Sequence, residues 1–208
     1  MDSEETGQIV NRIYNIFTHT NEPENPTRWF ISFGAMLYFL RGDKRMGKPF
    51  DGDFDISLLD RIPEPTLINN MESFGFTLEK KIINDITGEP FQMVFKGVDH
   101  LVKDIRLDVF FWIRVGSYYW HTYDYHMEFK NRPREYVFKG TPATAFDGEF
   151  WEYTWEDIAP PLKFPCLYGT LLDIWYPGWF LPDPKFGQSK AAKIVKLKTC
   201  KNLEANLI

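Results

Sequence analysis

Pro49-Phe50-Asp51-Gly52-Asp53-Phe54-Asp55-Ile56-Ser57-Leu58 is the stretch on which the fold of this chain turns. Phe54, Ile56 and Leu58 alternate with Asp53, Asp55 and Ser57, the period-2 pattern of a strand with one apolar face. Asp53 and Asp55, two residues apart, then project side by side from the other face. Neighbouring carboxylates repel each other, and burying them unpaired is costly. A hard divalent cation resolves the conflict, because Mg²⁺ takes few carboxylates and keeps positions open for phosphate oxygens.

Outward from this strand, two further segments bear on the acids. Downstream, Ile105-Arg106-Leu107-Asp108-Val109-Phe110-Phe111-Trp112 is an apolar strand with an acid in its middle. If it neighbours the first strand, Asp108 completes a cluster of three carboxylates, and Arg106 shares its face to neutralise an acid or hold a phosphate. Alternatively, Asp53 and Asp55 lie on a solvated face and Asp108 pairs with Arg106 or a lysine. Upstream, Trp29-Phe30-Ile31-Ser32-Phe33 is expected as a short buried strand ending at Gly34. Residues 35–40 are good helix formers and carry Arg41 at their end. A strand–glycine–helix turn presents backbone N–H groups to an anion. Arg41, Lys44, Arg45 and Lys48 fall between that turn and the acids, as a solvated loop or as cations that attract a di- or triphosphate.

The remaining elements frame one α+β domain over residues 1–208, with no internal repeat. Ile9, Ile13, Ile16 and Phe17 stand at helical spacing, predicting an amphipathic helix over residues 4–17. Another helix is expected at residues 64–73, and strands near 74–83, 91–95, 105–112 and 118–123. Residues 131–161 are rich in Pro, Gly and aromatics and predict mostly loop with short strands. Helical character returns at 166–175, and a last basic helix is expected from Ser189 to about residue 203.

Composition sets outer bounds. The chain has 208 residues, enough for one substantial core. No run approaches the ~18 consecutive apolar residues that span a bilayer, so no transmembrane segment is expected. The acidic start Met1-Asp2-Ser3-Glu4-Glu5 does not read as a signal peptide. Cys166 and Cys200 have no framework or metal-type spacing, which suits reduced thiols in a cytoplasmic protein. A formal net charge of −5 argues against nucleic acid as a partner. Aromatic residues make up 17%, with seven Trp, so some are expected to line a groove. Trp112, Trp120, Trp151 and Trp155 suit either core packing or a cation-π cage. His121 and His126 match no metal-ligand spacing and fit a polar hairpin better.

Taken together, strand–Gly–helix, Asp-x-Asp and a distant third Asp have the layout of the nucleotidyltransferase fold, a mixed β-sheet flanked by helices. Within that superfamily the chain resembles the LicD/fukutin family, whose blocks run Gly-Thr-Leu-Leu-Gly-x-x-Arg and then Pro-Trp-Asp-Asp-Asp-Ile-Asp-Ile. Gly34-Ala35-Met36-Leu37-Tyr38-Phe39-Leu40-Arg41 is similar to the first block, with Tyr38 in place of a small Gly. Pro49-Phe50-Asp51-Gly52-Asp53-Phe54-Asp55-Ile56 is similar to the second, with Gly52 in place of one acid. Leu107-Asp108-Val109-Phe110 resembles the third-acid strand. Tyr168-Gly169 and Trp175-Tyr176-Pro177-Gly178-Trp179-Phe180-Leu181-Pro182 resemble the closing Tyr-Gly-x-Trp-x-x-Pro block.

The resemblance implies transfer of a phospho-alcohol, such as phosphocholine or ribitol phosphate, from a CDP-linked donor to a hydroxyl of a glycan or glycolipid. It implies that Asp53, Asp55 and Asp108 hold Mg²⁺ (or Mn²⁺), and that Gly34 and Arg41, with Lys48 nearby, engage the donor phosphates. Asp51 or Asp108 would accept the acceptor's proton, and Tyr176 and Trp179 would shape the pocket. The same acids also suit transfer of a nucleoside monophosphate from a nucleoside triphosphate. A non-catalytic nucleotide- or glycan-binding protein is the remaining alternative.

Overall fold

A computed structural model describes residues 3–18, 27–41, 52–83, 90–123, 137–146, 150–155, 158–165 and 167–175. The centre is a five-stranded mixed sheet in the order β1 (Trp29–Ile31), β2 (Asp53–Leu58), β5 (Arg106–Phe111), β4 (Pro90–Gly97), β3 (Phe76–Ile83). β2 and β5 run parallel, and every other neighbour in the sheet is antiparallel. Helix α3 (Glu64–Ser73) and the β3–β4 hairpin lie between β2 and β5 in sequence, supplying the long crossover that a parallel pair requires.

Alternation along these strands builds the core. Phe54, Ile56, Leu107, Val109, Met93 and Phe95 are all buried. They share one cluster with Ile9, Ile13, Ile16 and Phe17 of α1 (Ser3–Thr18) and with Leu67 and Met71 of α3. Each such side chain contributes about 1.5–3 kcal/mol by leaving water. Trp29 is fully buried, with Phe17 at 5.5 Å, Tyr14 edge-on at 6.0 Å and Lys163 Nζ at 5.5 Å from its ring centre. Arg12 of α1 ties the helix down by an ion pair with Asp99 and a 3.0 Å hydrogen bond to the Phe74 carbonyl.

A three-stranded antiparallel sheet follows, β6 (Ile113–Val115), β7 (Tyr118–Tyr123) and β8 (Val137–Pro142). The chain passes from β5 to β6 at Trp112, whose N–H donates to the Leu58 carbonyl at 2.9 Å. A two-stranded sheet, β9 (Phe150–Trp155) with β10 (Ile158–Pro165), precedes α4 (Tyr168–Trp175).

The expected α+β content and a mixed sheet are both present, the sheet having five strands. Residues 137–165 carry more strand than expected. Phe150-Trp151-Glu152-Tyr153-Thr154-Trp155 is rich in residues that pack on a pleated surface, and β-propensity prevails there. Pro160 and Pro161 fall where the β9–β10 register shifts between Ile158 and Leu162, which is where a strand tolerates a missing N–H. The basic helix expected from Ser189, the two His and Cys200 lie outside the described residues or side chains. Among the described residues no helix is long and apolar enough to cross a membrane.

Candidate functional site

Register places the acids together. Asp55 of β2 is the direct partner of Asp108 on β5, and Asp53 is the partner of Arg106. Partners in adjacent strands point to the same face. Asp53, Asp55, Arg106 and Asp108 therefore form a two-by-two block on the face opposite Phe54 and Leu107. The register continues into β4 and β3, where Val94 and Lys80 extend the Asp55–Asp108 row and Lys96 and Thr77 extend the Asp53–Arg106 row. Acids thus dominate one side of this face, and the other carries Lys80 and Lys96 together with Glu79.

Helix α2 (Phe33–Arg41) closes the acidic side. The Ala35 N–H donates to Asp55 Oδ2 at 3.2 Å, and a Cβ on Gly34 would stand 3.2 Å from the same oxygen. The anion met by the helix N-terminus is therefore Asp55 itself. Phe33 enters the helix with φ of +44°, a costly conformation for an aromatic residue. It is held by its ring, edge-on to Phe110 at 4.9 Å and stacked with Trp112 at 6.2 Å. Trp112 also meets Phe146 at 5.5 Å and is buried, so it serves packing rather than a cation cage.

Burial charges this cluster with unusual electrostatics. Asp55 is only 9% exposed. Loss of water, then the charges of Asp108 and Asp53, push its carboxyl up to about 8 against the pull of the Ala35 and Gly34 N–H groups. Asp108 is raised to about 6 by burial and by Asp53, with Arg106, Gln92 and Lys80 opposing. Gln92 Nε2 donates to Asp108 Oδ2 at 3.0 Å. The other oxygen, Oδ1, is buried without a hydrogen-bond donor, although Arg106 Nε stands 3.2 Å away as an ion-pair partner. Arg106 Nε also lies 3.8 Å from Glu79 and 4.0 Å from Asp53.

These observations bear on whether a cation fits. Buried, like-charged Asp55 and Asp108 and the undonated Oδ1 suit an oxygen-seeking divalent ion. Among the described residues, however, no three His, Cys, Asp or Glu side chains are arranged to hold a metal ion. The Arg106 guanidinium stands among the acids instead. Asp55 and Asp108 are the two carboxylates that face each other in register, with Asp53 beside them at the exposed rim.

Of the other expected site residues, Gly34 adjoins Asp55 and Arg41 is the last residue of α2. Lys48, Asp51, Tyr176 and Trp179 lie outside the described residues. Sequence reasoning missed Gln92, Glu79 and Lys80. Gln92 had a usable signal, because it is a polar residue inside the apolar run Phe91-Gln92-Met93-Val94-Phe95, as Asp108 is within its own run. No family model matches the chain, and no curated protein matches it significantly.

Proposed function

We propose that this chain is a metal-dependent phosphotransferase that moves a phospho-alcohol from a CDP-linked donor to a glycan hydroxyl, as its resemblance to the LicD/fukutin family implies. The observation that carries the proposal is the pairing of buried Asp55 with Asp108 across two parallel strands. Such a pair is expensive to keep without a cation to compensate it. Asp55 and Asp108, with Asp53 beside them, would hold Mg²⁺ or Mn²⁺. The ion supplies charge neutralisation for the phosphate oxygens when bound.

The chain's own groups have separate parts in this scheme. Ala35 and Gly34 orient Asp55 through their N–H groups. Gln92 fixes one oxygen of Asp108. Asp108, raised towards neutrality by burial, is suited to accept the proton of the attacking hydroxyl. Asp51 is the other proposed acceptor of that proton.

Incubation with CDP-choline, CDP-ribitol or CDP-glycerol, Mg²⁺ and a glycan acceptor tests the proposal. Release of CMP with a phospho-alcohol on the glycan is the expected result. Asp55→Asn and Asp108→Asn should each cut turnover by roughly a hundredfold or more. Pyrophosphate released from a nucleoside triphosphate would instead identify transfer of a nucleoside monophosphate. If no nucleotide raises the melting temperature with or without Mg²⁺, nucleotide-dependent transfer is excluded as the function.

A further inference from the structure

We infer that Ser32 and Ser57 form a subsite beside Asp55 that reads the hydroxyls of a polyol group on the substrate, by hydrogen bonds and without an ion. The inference rests on the phosphotransferase reading for the molecules that carry such a group. Ser57 is two residues beyond Asp55 on β2 and shares its face. In register it lies between Phe30 of β1 and Phe110 of β5. Ser32 follows Ile31, the partner of Ile56, and its N–H donates to the Asp55 carbonyl at 2.9 Å. That bond extends the register by one pair, so Ser32 and Asp108 flank Asp55 in one row and Ser57 stands in the next.

Both serines are 0% exposed, and neither hydroxyl has a hydrogen-bond partner among the described residues. Asp108 Oδ1 is also without a donor, Arg106 meeting it only as an ion pair. Buried hydroxyls left unpaired destabilise a fold, and alanine would sit among Phe30, Phe33 and Phe110 without that penalty. Nor is Ser32 needed as a helix cap. It precedes α2, where a serine hydroxyl ordinarily accepts the third helical N–H, but Ala35 gives that N–H to Asp55. Two hydroxyls that donate and accept, beside a carboxylate oxygen that only accepts, complement a group with several O–H of its own. A quaternary ammonium offers neither donor nor acceptor and would leave all three unpaired. Because the serines are closed to solvent, entry past Asp55 requires the first turn of α2 to lift from β2, where the Ala35–Asp55 bond is a long one at 3.2 Å.

A hydroxyl kept for a ligand at the expense of the fold leaves a double signature: its removal stabilises the free chain and weakens the complex. Ser57→Ala should melt above wild type by about a degree or more. In calorimetry it should bind a polyol-bearing ligand roughly tenfold more weakly. Ser32→Ala gives the same two readings if Ser57→Ala does not fold. Three ligands locate the polyol. A loss confined to CDP-ribitol assigns the subsite to the donor's alcohol, a loss shared with CDP-choline assigns it to the ribose, and a loss confined to a methyl glycoside assigns it to the acceptor. A variant that melts below wild type means that the hydroxyl is already satisfied in the free chain. Unchanged affinity for all three ligands means that nothing bound reaches it. Either result overturns the subsite and leaves the phosphotransferase reading intact, whereas wild type binding none of the three overturns both.

Discussion

Asp55 shows how one residue's position sets the pH behaviour of the site. Its carboxyl ionises near 8 in the folded chain, against an ordinary value of 3.8. The folded state therefore binds a proton that the unfolded state has released across that interval. The slope of stability with pH is negative there, so the metal-free fold loses stability as pH rises from about 4 towards 8. Asp55→Asn keeps an oxygen to accept the Ala35 N–H and removes the charge. Without metal at pH 8, the variant should melt several degrees above wild type, a difference that disappears near pH 4. A lower melting temperature for the variant at pH 8 would contradict burial as the source of the shift. In the metal-binding role proposed for it, Asp55 must also give up this proton when the ion binds. Calorimetry in buffers of different ionisation enthalpy should detect proton release at pH 7, falling as pH passes above 8.

Element ends are where local backbone geometry constrains the chain, and the start of β2 is the clearest case. Gly52 occupies a turn whose geometry calls for a glycine. Its φ is +97°, and a Cβ there would meet the Asp104 carbonyl at 2.8 Å. Its own carbonyl receives the Arg106 N–H, so this glycine aligns β2 with β5 and thereby Asp55 with Asp108. Gly52→Asp should destabilise the fold by roughly 1–3 kcal/mol in urea unfolding. Unchanged stability would mean that the turn has another accessible conformation.

Across the whole molecule, the sheets are joined by polar contacts as well as by the core. Arg28, just before β1, donates to both carboxylate oxygens of Asp60 at 2.7 and 2.9 Å and to the Tyr119 hydroxyl at 3.1 Å. This contact connects the five-stranded sheet to β7 of the second one. Burial pushes the Asp60 carboxyl up, but the hydrogen bonds and charge of Arg28 outweigh it and leave it below the ordinary range. A depressed carboxylate stabilises the fold above its unfolded value and loses that contribution as pH falls through its folded one. The pair is about two-fifths exposed, so solvent screening keeps its worth small. Asp60→Asn should cost about 0.5–1 kcal/mol at neutral pH, fading in acid, as read by urea unfolding at each pH.

Much of this architecture was legible in side-chain order. The spacing of Ile9, Ile13, Ile16 and Phe17 marked α1, and the alternation of Asp53 to Leu58 marked β2, because burial on one face imposes a period on apolar residues. An acid inside the apolar run around Asp108 marked that position as special for the same reason. The extra strands of residues 137–165 were less legible, because Pro and Gly signal turns whether or not strands lie between them.

Which side chains share a face of β2 and of β5 follows from the pleat alone and is readable in residue order. That the two strands are parallel neighbours, in a register opposing Asp55 to Asp108, emerges only from the folded arrangement. That arrangement also decides that α2 directs its N–H groups at Asp55, and that Arg106 lies among the acids. Pairing partner, register and the depth of burial depend on contacts between residues some fifty positions apart, and no local periodicity encodes them.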